Sequence, residues 1–258
     1  MDNPPKNWTK VTELSSTMKL KFAGITDTGS VRSVNQDSYY IDPEGQFFIV
    51  ADGMGGHAGG QEASKIATEV IKTYLVRCWY DTIESPQLLK NAFIKANEAI
   101  IDDQEKHPER LDMGTTAVVL IFREEKFWCA NVGDSRLYTL QGKILTQITE
   151  DQTWVAQAVK SNAITPQQAR IHPWRHVLSQ CLGREDTDQV DLLPLDVQPG
   201  DRLLLCSDGL TGELSDSIIA PILSSNKDSF TIAEELVNTA KEKGGNDNIT
   251  VLIVTVEI

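Results

Sequence analysis

Phe47-Phe48-Ile49-Val50-Ala51-Asp52-Gly53-Met54-Gly55-Gly56 runs an apolar segment straight into an acid and a cluster of glycines, continued by His57-Ala58-Gly59-Gly60. This is the layout of a buried strand that delivers a carboxylate into a tight loop, where absent side chains let backbone carbonyls approach a bound ion. On its own the segment suggests a site for a hard cation.

Upstream, residues 38–41 form a second strand-like run, and the intervening turn Asp42-Pro43-Glu44-Gly45 predicts a hairpin with residues 47–51. Downstream, Ala63, Ile66, Ala67, Val70, Ile71, Tyr74, Leu75 and Cys78 recur at helical spacing. A second such stripe, Leu88 to Ile100, follows Ser85-Pro86, where serine can cap a helix and proline can occupy its first turn. After Gly114 the chain turns strand-rich, with runs at 115–123, 126–132, 136–140 and 143–148 separated by hairpin-length turns. Residues 151–183 break that rhythm with a helix near 154–160 and another starting at Thr165-Pro166. Strands return at 190–195 and 202–206, helices at 215–223 and 230–243, and a strand at 249–257 closes the chain. Runs of strands interrupted by paired helices indicate an α+β fold, not alternating βαβ units.

The chain has 258 residues, 40% of them hydrophobic and 24% charged, enough for one large domain or two small ones. Residues 1–17, with Pro4-Pro5 and no periodic pattern, read as a flexible extension before a first strand at 19–25, leaving 18–258 as a single domain. No apolar run approaches the roughly 18 residues a membrane span needs, and the polar N-terminus lacks the blocks of a secretory signal, so a soluble cytoplasmic protein is expected. Cys78, Cys129, Cys181 and Cys206 are scattered, with no CxxC pair to suggest zinc or redox chemistry. A net charge of −13 argues against nucleic acid or anionic membrane as the main partner.

Three further aspartates share the context of Asp52, each beside an apolar strand and small residues: Asp134 after Asn131-Val132-Gly133, Asp208 after Cys206-Ser207, and Asp247 before Asn248-Ile249. Asp37, after Asn35-Gln36, is a fifth candidate. A single turn aspartate ordinarily hydrogen-bonds its own backbone. Several at strand ends can converge on one rim of a sheet, and oxygen-only ligation selects Mg²⁺ or Mn²⁺. Two such ions about 4 Å apart can hold a hydroxide at neutral pH and aim it at phosphorus. Phosphoryl transfer also needs positive charge on the non-bridging oxygens; Arg32 is the best placed arginine, and Arg136 the second.

With these residues assembled, the chain from residue 19 to 258 resembles the type 2C, metal-dependent protein serine/threonine phosphatases, compact bacterial type. The matching motifs are Gly29-Ser30-Val31-Arg32 with Asn35-Gln36-Asp37, Asp52-Gly53-Met54-Gly55-Gly56, Gly114-Thr115-Thr116, Val132-Gly133-Asp134-Ser135-Arg136, Ser207-Asp208-Gly209 and Gly245-Asn246-Asp247-Asn248. The resemblance implies a four-layer αββα sandwich: two central antiparallel sheets flanked by helix pairs, with metals in a cleft at one end. It implies that Asp52 and the Gly53 carbonyl bind two Mg²⁺ or Mn²⁺ ions, with Asp208 and Asp247 on the first and Asp37 near the second. Asp134 and Asp208 would support a third ion. Arg32 would grip the substrate phosphate.

His57 matches the family histidine proposed to protonate the leaving alkoxide, displaced here by Met54-Gly55-Gly56; a metal-bound water is an alternative donor and a structural histidine an alternative reading. Residues 151–183 match the family's variable flap. The wording from His172 to Arg184 is similar to a cyanobacterial branch that includes phosphatases of the phosphorylated signalling protein PII. There His176 matches a histidine implicated in turnover, against the plainer reading that His172 and His176 pack or face solvent, and Thr153 and Arg184 match positions that influence substrate use. The resemblance therefore implies hydrolysis of phosphoserine or phosphothreonine in proteins by a metal-bridging hydroxide, with phospho-PII a candidate substrate. A monomer is the default expectation.

Overall fold

The computed structural model describes residues 9–15, 18–56, 59–187 and 189–257. In chain order, β1 (Thr9–Ser15), β2 (Met18–Asp27), β3 (Asp37–Ile41) and β4 (Phe47–Met54) lead into α1 (Gly59–Cys78) and α2 (Ser85–Lys106). Then come β5 (Gly114–Thr115), β6 (Ala117–Arg123), β7 (Lys126–Val132), β8 (Arg136–Gln141) and β9 (Ile144–Gln147). The short helices α3 (Trp154–Lys160) and α4 (Pro166–Arg170) precede β10 (Asp191–Leu195) and β11 (Arg202–Cys206). The helices α5 (Asp208–Thr211), α6 (Asp216–Leu223) and α7 (Ser229–Glu242) and the strand β12 (Ile249–Glu257) complete it.

These strands form two antiparallel sheets, one in the order β1-β2-β12-β11-β8-β9 and the other β10-β7-β6-β4-β3, with β5 pairing the end of β4. The opening stretch explains the layering. Along β4, Phe47 and Ile49 pack with Ala67, Ile71, Leu89 and Phe93 of α1 and α2. Phe48 and Val50, on the opposite face, pack with Phe22, Leu203, Leu205 and Leu252 of the other sheet. Alternate side chains of a strand point to opposite faces, so a strand apolar at every position must be covered on both. On the far side, Tyr138, Leu204 and Ile253 meet Ile219, Ile232 and Leu236 of α6 and α7. The result is the expected four-layer αββα sandwich.

Two local expectations change, and one pairing is new with the structure. Thr9–Ser15, read as part of a loose extension, is an edge strand whose residues 9–13 pair antiparallel with residues 23–19 of β2. Its sequence carries no alternation to announce it, because main-chain pairing on one side suffices at a sheet edge. Ser85 is the first residue of α2, not its cap: the cap position is Glu84, with no side-chain hydrogen bond, and Ser85 Oγ instead accepts from the buried Arg123 guanidinium. Finally β10, which precedes β11 in sequence, pairs with β7 of the other sheet, with Asp191 opposite Asn131 and Leu195 opposite Phe127.

Candidate active site

Each of the predicted acids emerges where a strand of one sheet or the other ends. Asp37 and Asp52 are register partners on β3 and β4 of one sheet. Asp134 lies in the loop from β7 to β8, where the chain passes between sheets, and Asp208 and Asp247 flank β11 and β12 of the other sheet. Their electrostatics place them together. The Asp52 carboxyl is held well above the ordinary carboxylate range by burial, then by the charges of Asp37, Asp208, Asp134 and Asp247. Asp134 is raised by burial, Asp208 and Asp151, with Arg136 opposing. Asp37 is pushed up to about 7 by burial, against the hydrogen bonds of Thr250 and Ser207 and with further upward contributions from Asp208 and Asp247.

Neighbouring hydroxyls orient the acids. Asp37 Oδ2 accepts from Thr250 Oγ1 at 2.6 Å and Ser207 Oγ at 2.7 Å, while its Oδ1 is buried with no hydrogen-bond partner. Asp52 N–H donates to Thr116 Oγ1 at 2.9 Å, the Asp52 carbonyl accepts from Thr115 Oγ1 and from Thr116 N–H, and Thr116 Oγ1 meets Ser135 Oγ at 2.7 Å beside Asp134. Asn248, next to Asp247, ties down the loop that leads into Asp37: its Nδ2 donates to Thr28 O and Val34 O, and its Oδ1 accepts from Gln36 N–H. Thr115, Thr116 and Asn248 lay inside motifs noted in the sequence, but Thr250 sits in an apolar strand and carried no signal there.

The glycines of the loop have a structural reason besides ion approach. A Cβ on Gly53 would lie 1.9 Å from the Gly60 carbonyl oxygen, so the loop closes on the first turn of α1 through direct backbone contact.

A divalent cation fits this donor set. An orphaned buried carboxylate oxygen and three carboxyls held above their usual range lack positive charge, and every donor is oxygen. Among the described residues no three His, Cys, Asp or Glu side chains stand close enough to hold an ion by themselves.

The remaining predicted residues divide. Arg32 is at the rim, its Nη2 2.8 Å from Asp247 Oδ2 and its side chain half exposed. Arg136 is not available to a phosphate: its Nε and Nη2 grip both oxygens of Asp151 at 2.8 and 2.6 Å, and Nη1 donates to Tyr138 OH. His176 reaches the centre from the flap, with Nδ1 3.3 Å from Asp208 Oδ2. His172 does not; it stacks on Trp154. Thr153 caps α3, accepting from Ala156 N–H at 3.1 Å, and Arg184 pairs with Asp186. His57 lies outside the described residues.

Residues 29–252 match the family model described as "Protein phosphatase 2C". The chain is 36% identical over 245 residues to the protein phosphatase PhpP of Streptococcus pneumoniae, covering 92% of this chain and 97% of that one. The crystal structure of the Mycobacterium tuberculosis serine/threonine phosphatase PstP/Ppp superposes with a TM-score of 0.84 at 35% identity, covering 93% of this chain and 99% of that chain. The catalytic domain of PstP in complex with two manganese ions gives a TM-score of 0.81 at 33% identity, over 94% of this chain and all of that one.

Proposed function

Because the chain belongs to the protein phosphatase 2C family and is a protein serine/threonine phosphatase, we propose that the acidic rim is its active centre and that phosphoserine or phosphothreonine in proteins is hydrolysed there without a phosphoenzyme. The observation that carries this reading is the convergence of Asp37, Asp52, Asp134, Asp208 and Asp247 from both sheets on one rim, with an arginine beside it.

Asp52 and the Gly53 carbonyl, with Asp37, Asp208 and Asp247, would hold two Mn²⁺ or Mg²⁺ ions, and Asp134 with Asp208 a third. When bound, such ions lower the pKa of water and offset charge on the phosphoryl oxygens. Arg32 binds the substrate phosphate, its fork matching two non-bridging oxygens once it turns from Asp247. His176 stands at the side of the centre where Nδ1 meets Asp208 Oδ2 at 3.3 Å, and it shares with His57 the candidacy for protonating the departing alkoxide. Thr115, Thr116, Ser207 and Thr250 orient the acids through the hydrogen bonds above.

The flap, residues 151–183, belongs to the single domain of residues 18–258, to whose sheet the edge strand Thr9–Ser15 is added, and its wording supports phospho-PII as the first substrate to try. Among the described residues no helix is long and apolar enough to cross a membrane; a cytoplasmic setting and a monomeric state are proposed. Asp208→Ala or Asp247→Ala is expected to abolish p-nitrophenyl phosphate hydrolysis in Mn²⁺ buffer. Near-normal turnover in either variant would overturn the assignment of the centre, and phosphate release from phospho-PII, titrated with Mn²⁺ against EDTA, tests the substrate.

A further inference from the structure

The charge of the chain is unevenly distributed. Residues 152–184 contain no Asp or Glu, yet carry Lys160, Arg170, Arg175 and Arg184, in a chain whose net charge is −13. The same stretch holds four of the exposed large apolar side chains, Trp154, Ile171, Trp174 and Val177. Trp154 and His172 stack with ring centroids 5.0 Å apart, and Trp174 stands edge-on to Trp154 at 4.9 Å. The turn that presents them is braced: Trp154 N–H donates to Val177 O, Ser179 N–H to Gln152 O, and Arg175 N–H to His172 O. An aromatic cluster that is fixed, with both tryptophans more than a third exposed, loses little conformational entropy on contact, as anchor residues at interfaces do.

Two of the cations are already used, Lys160 by Glu150 and Arg184 by Asp186. Arg175 is exposed and has no ion pair among the described residues. It is covalently next to His176, which stands 3.3 Å from Asp208 at the acidic rim. The basic and aromatic face thus adjoins the place where a substrate's phosphorylated side chain enters.

We propose that this face docks an acidic segment of the protein substrate flanking its phosphorylated residue, with a carboxylate on Arg175 and an apolar side chain against Trp154 and Trp174. The proposal rests on the phosphatase reading above and adds a sequence preference to it. Charge complementarity selects this occupant: the rim repels acidic peptide, so a substrate with flanking carboxylates gains only away from it, and Arg175, in a stretch with no acid from residue 152 to 184, offers a cation there.

The test compares kcat/KM for three phosphoserine peptides of one length, with acidic, neutral or basic flanks, and for p-nitrophenyl phosphate, using the full chain with Mn²⁺. The acidic peptide is expected to be favoured over the neutral one by about fivefold, the scale of one exposed ion pair, through KM and not kcat. Arg175→Glu should remove or invert that preference, and Trp174→Ala should raise KM for all three peptides, with p-nitrophenyl phosphate turnover unchanged in both. Equal kcat/KM for acidic and neutral peptides in the parent would overturn the proposal, as would an unchanged preference in Arg175→Glu. Arg175→Gln serves where the charge reversal unfolds, and equal loss on peptides and p-nitrophenyl phosphate would likewise overturn the docking role. Salt-sensitive binding to anionic phospholipid vesicles without any peptide preference would reassign the face to a membrane surface. Absence of phosphate release from every phosphopeptide by the parent chain would instead remove the phosphatase reading itself.

Discussion

Asp37 concentrates the chemistry of the centre in one side chain. One oxygen takes two hydroxyl hydrogen bonds and the other is buried without any, so the carboxylate is positioned but not neutralised. Its pKa of about 7 in the folded chain lies far above the value near 4 expected in the unfolded chain. Between those two values the native state holds a proton that the unfolded state has released, so stability falls as pH rises. Asp52 and Asp134 are shifted in the same direction by burial and by the neighbouring acids, and add to the slope. Chelator-treated protein is therefore expected to melt at a lower temperature at pH 8 than at pH 5. Saturating Mn²⁺ should raise the pH 8 melt most, because the ion replaces the missing protons and binds in competition with them. A metal-free melting temperature that rises steadily from pH 5 to pH 8 would contradict this account of the acids.

At the scale of elements, the flap is held at its root by residues that a sequence motif does not distinguish from catalytic ones. Gln152 accepts from Gly133 N–H through its side chain and donates its own N–H back to Gly133 O, next to Asp134, and Arg136 clamps Asp151 with two hydrogen bonds. At the other end Asn97 Oδ1 accepts from Gly183 N–H at 2.6 Å. Removing Arg136 leaves Asp151 without its bidentate partner in a mostly buried setting, and a hydrogen-bonded charge of this kind is worth about 1.5–3 kcal/mol. Arg136→Ala is expected to lower the melting temperature measurably while leaving KM for p-nitrophenyl phosphate unchanged, and Arg136→Lys should not restore stability because lysine lacks the fork. Arg32→Ala should do the reverse, raising KM with little change in melting. A raised KM in Arg136→Ala would return that arginine to the substrate. From sequence alone the two arginines look alike, each beside a small-residue turn and an aspartate. What separates them is Asp151, fifteen residues away from Arg136, a distance that local patterning does not read. The strands were legible for the opposite reason, since β4, β6, β7, β11 and β12 are apolar through most of their length and announce themselves without tertiary information. Strand β1 lacks that signal, and β10 shows where a strand lies but not which sheet it joins.

At the scale of the whole molecule, the centre belongs to neither sheet alone. Asp37 and Asp52 ride on β3 and β4, Asp208 and Asp247 on the ends of β11 and β12 in the facing sheet, so the spacing between the pairs is set by the apolar layer between the sheets. Phe48 is central to that layer: fully buried, edge-on to Phe22 at 5.2 Å, and four residues before Asp52 on the same strand. Phe93 is equally buried, but in the outer core between the helices and the other face of the sheet. Each truncated to alanine should cost about 3–5 kcal/mol, transfer and cavity terms together. The two variants should therefore melt similarly, well below the parent, and differ in function. In Phe48→Ala the sheets settle toward one another and the acid pairs shift, weakening Mn²⁺ binding measured calorimetrically below the melting range. In Phe93→Ala the layer between the sheets is intact, and Mn²⁺ affinity should match the parent. Equal affinities in the two variants at matched stability would show that the loops, not the packing of the two sheets, hold the acids at their working distance.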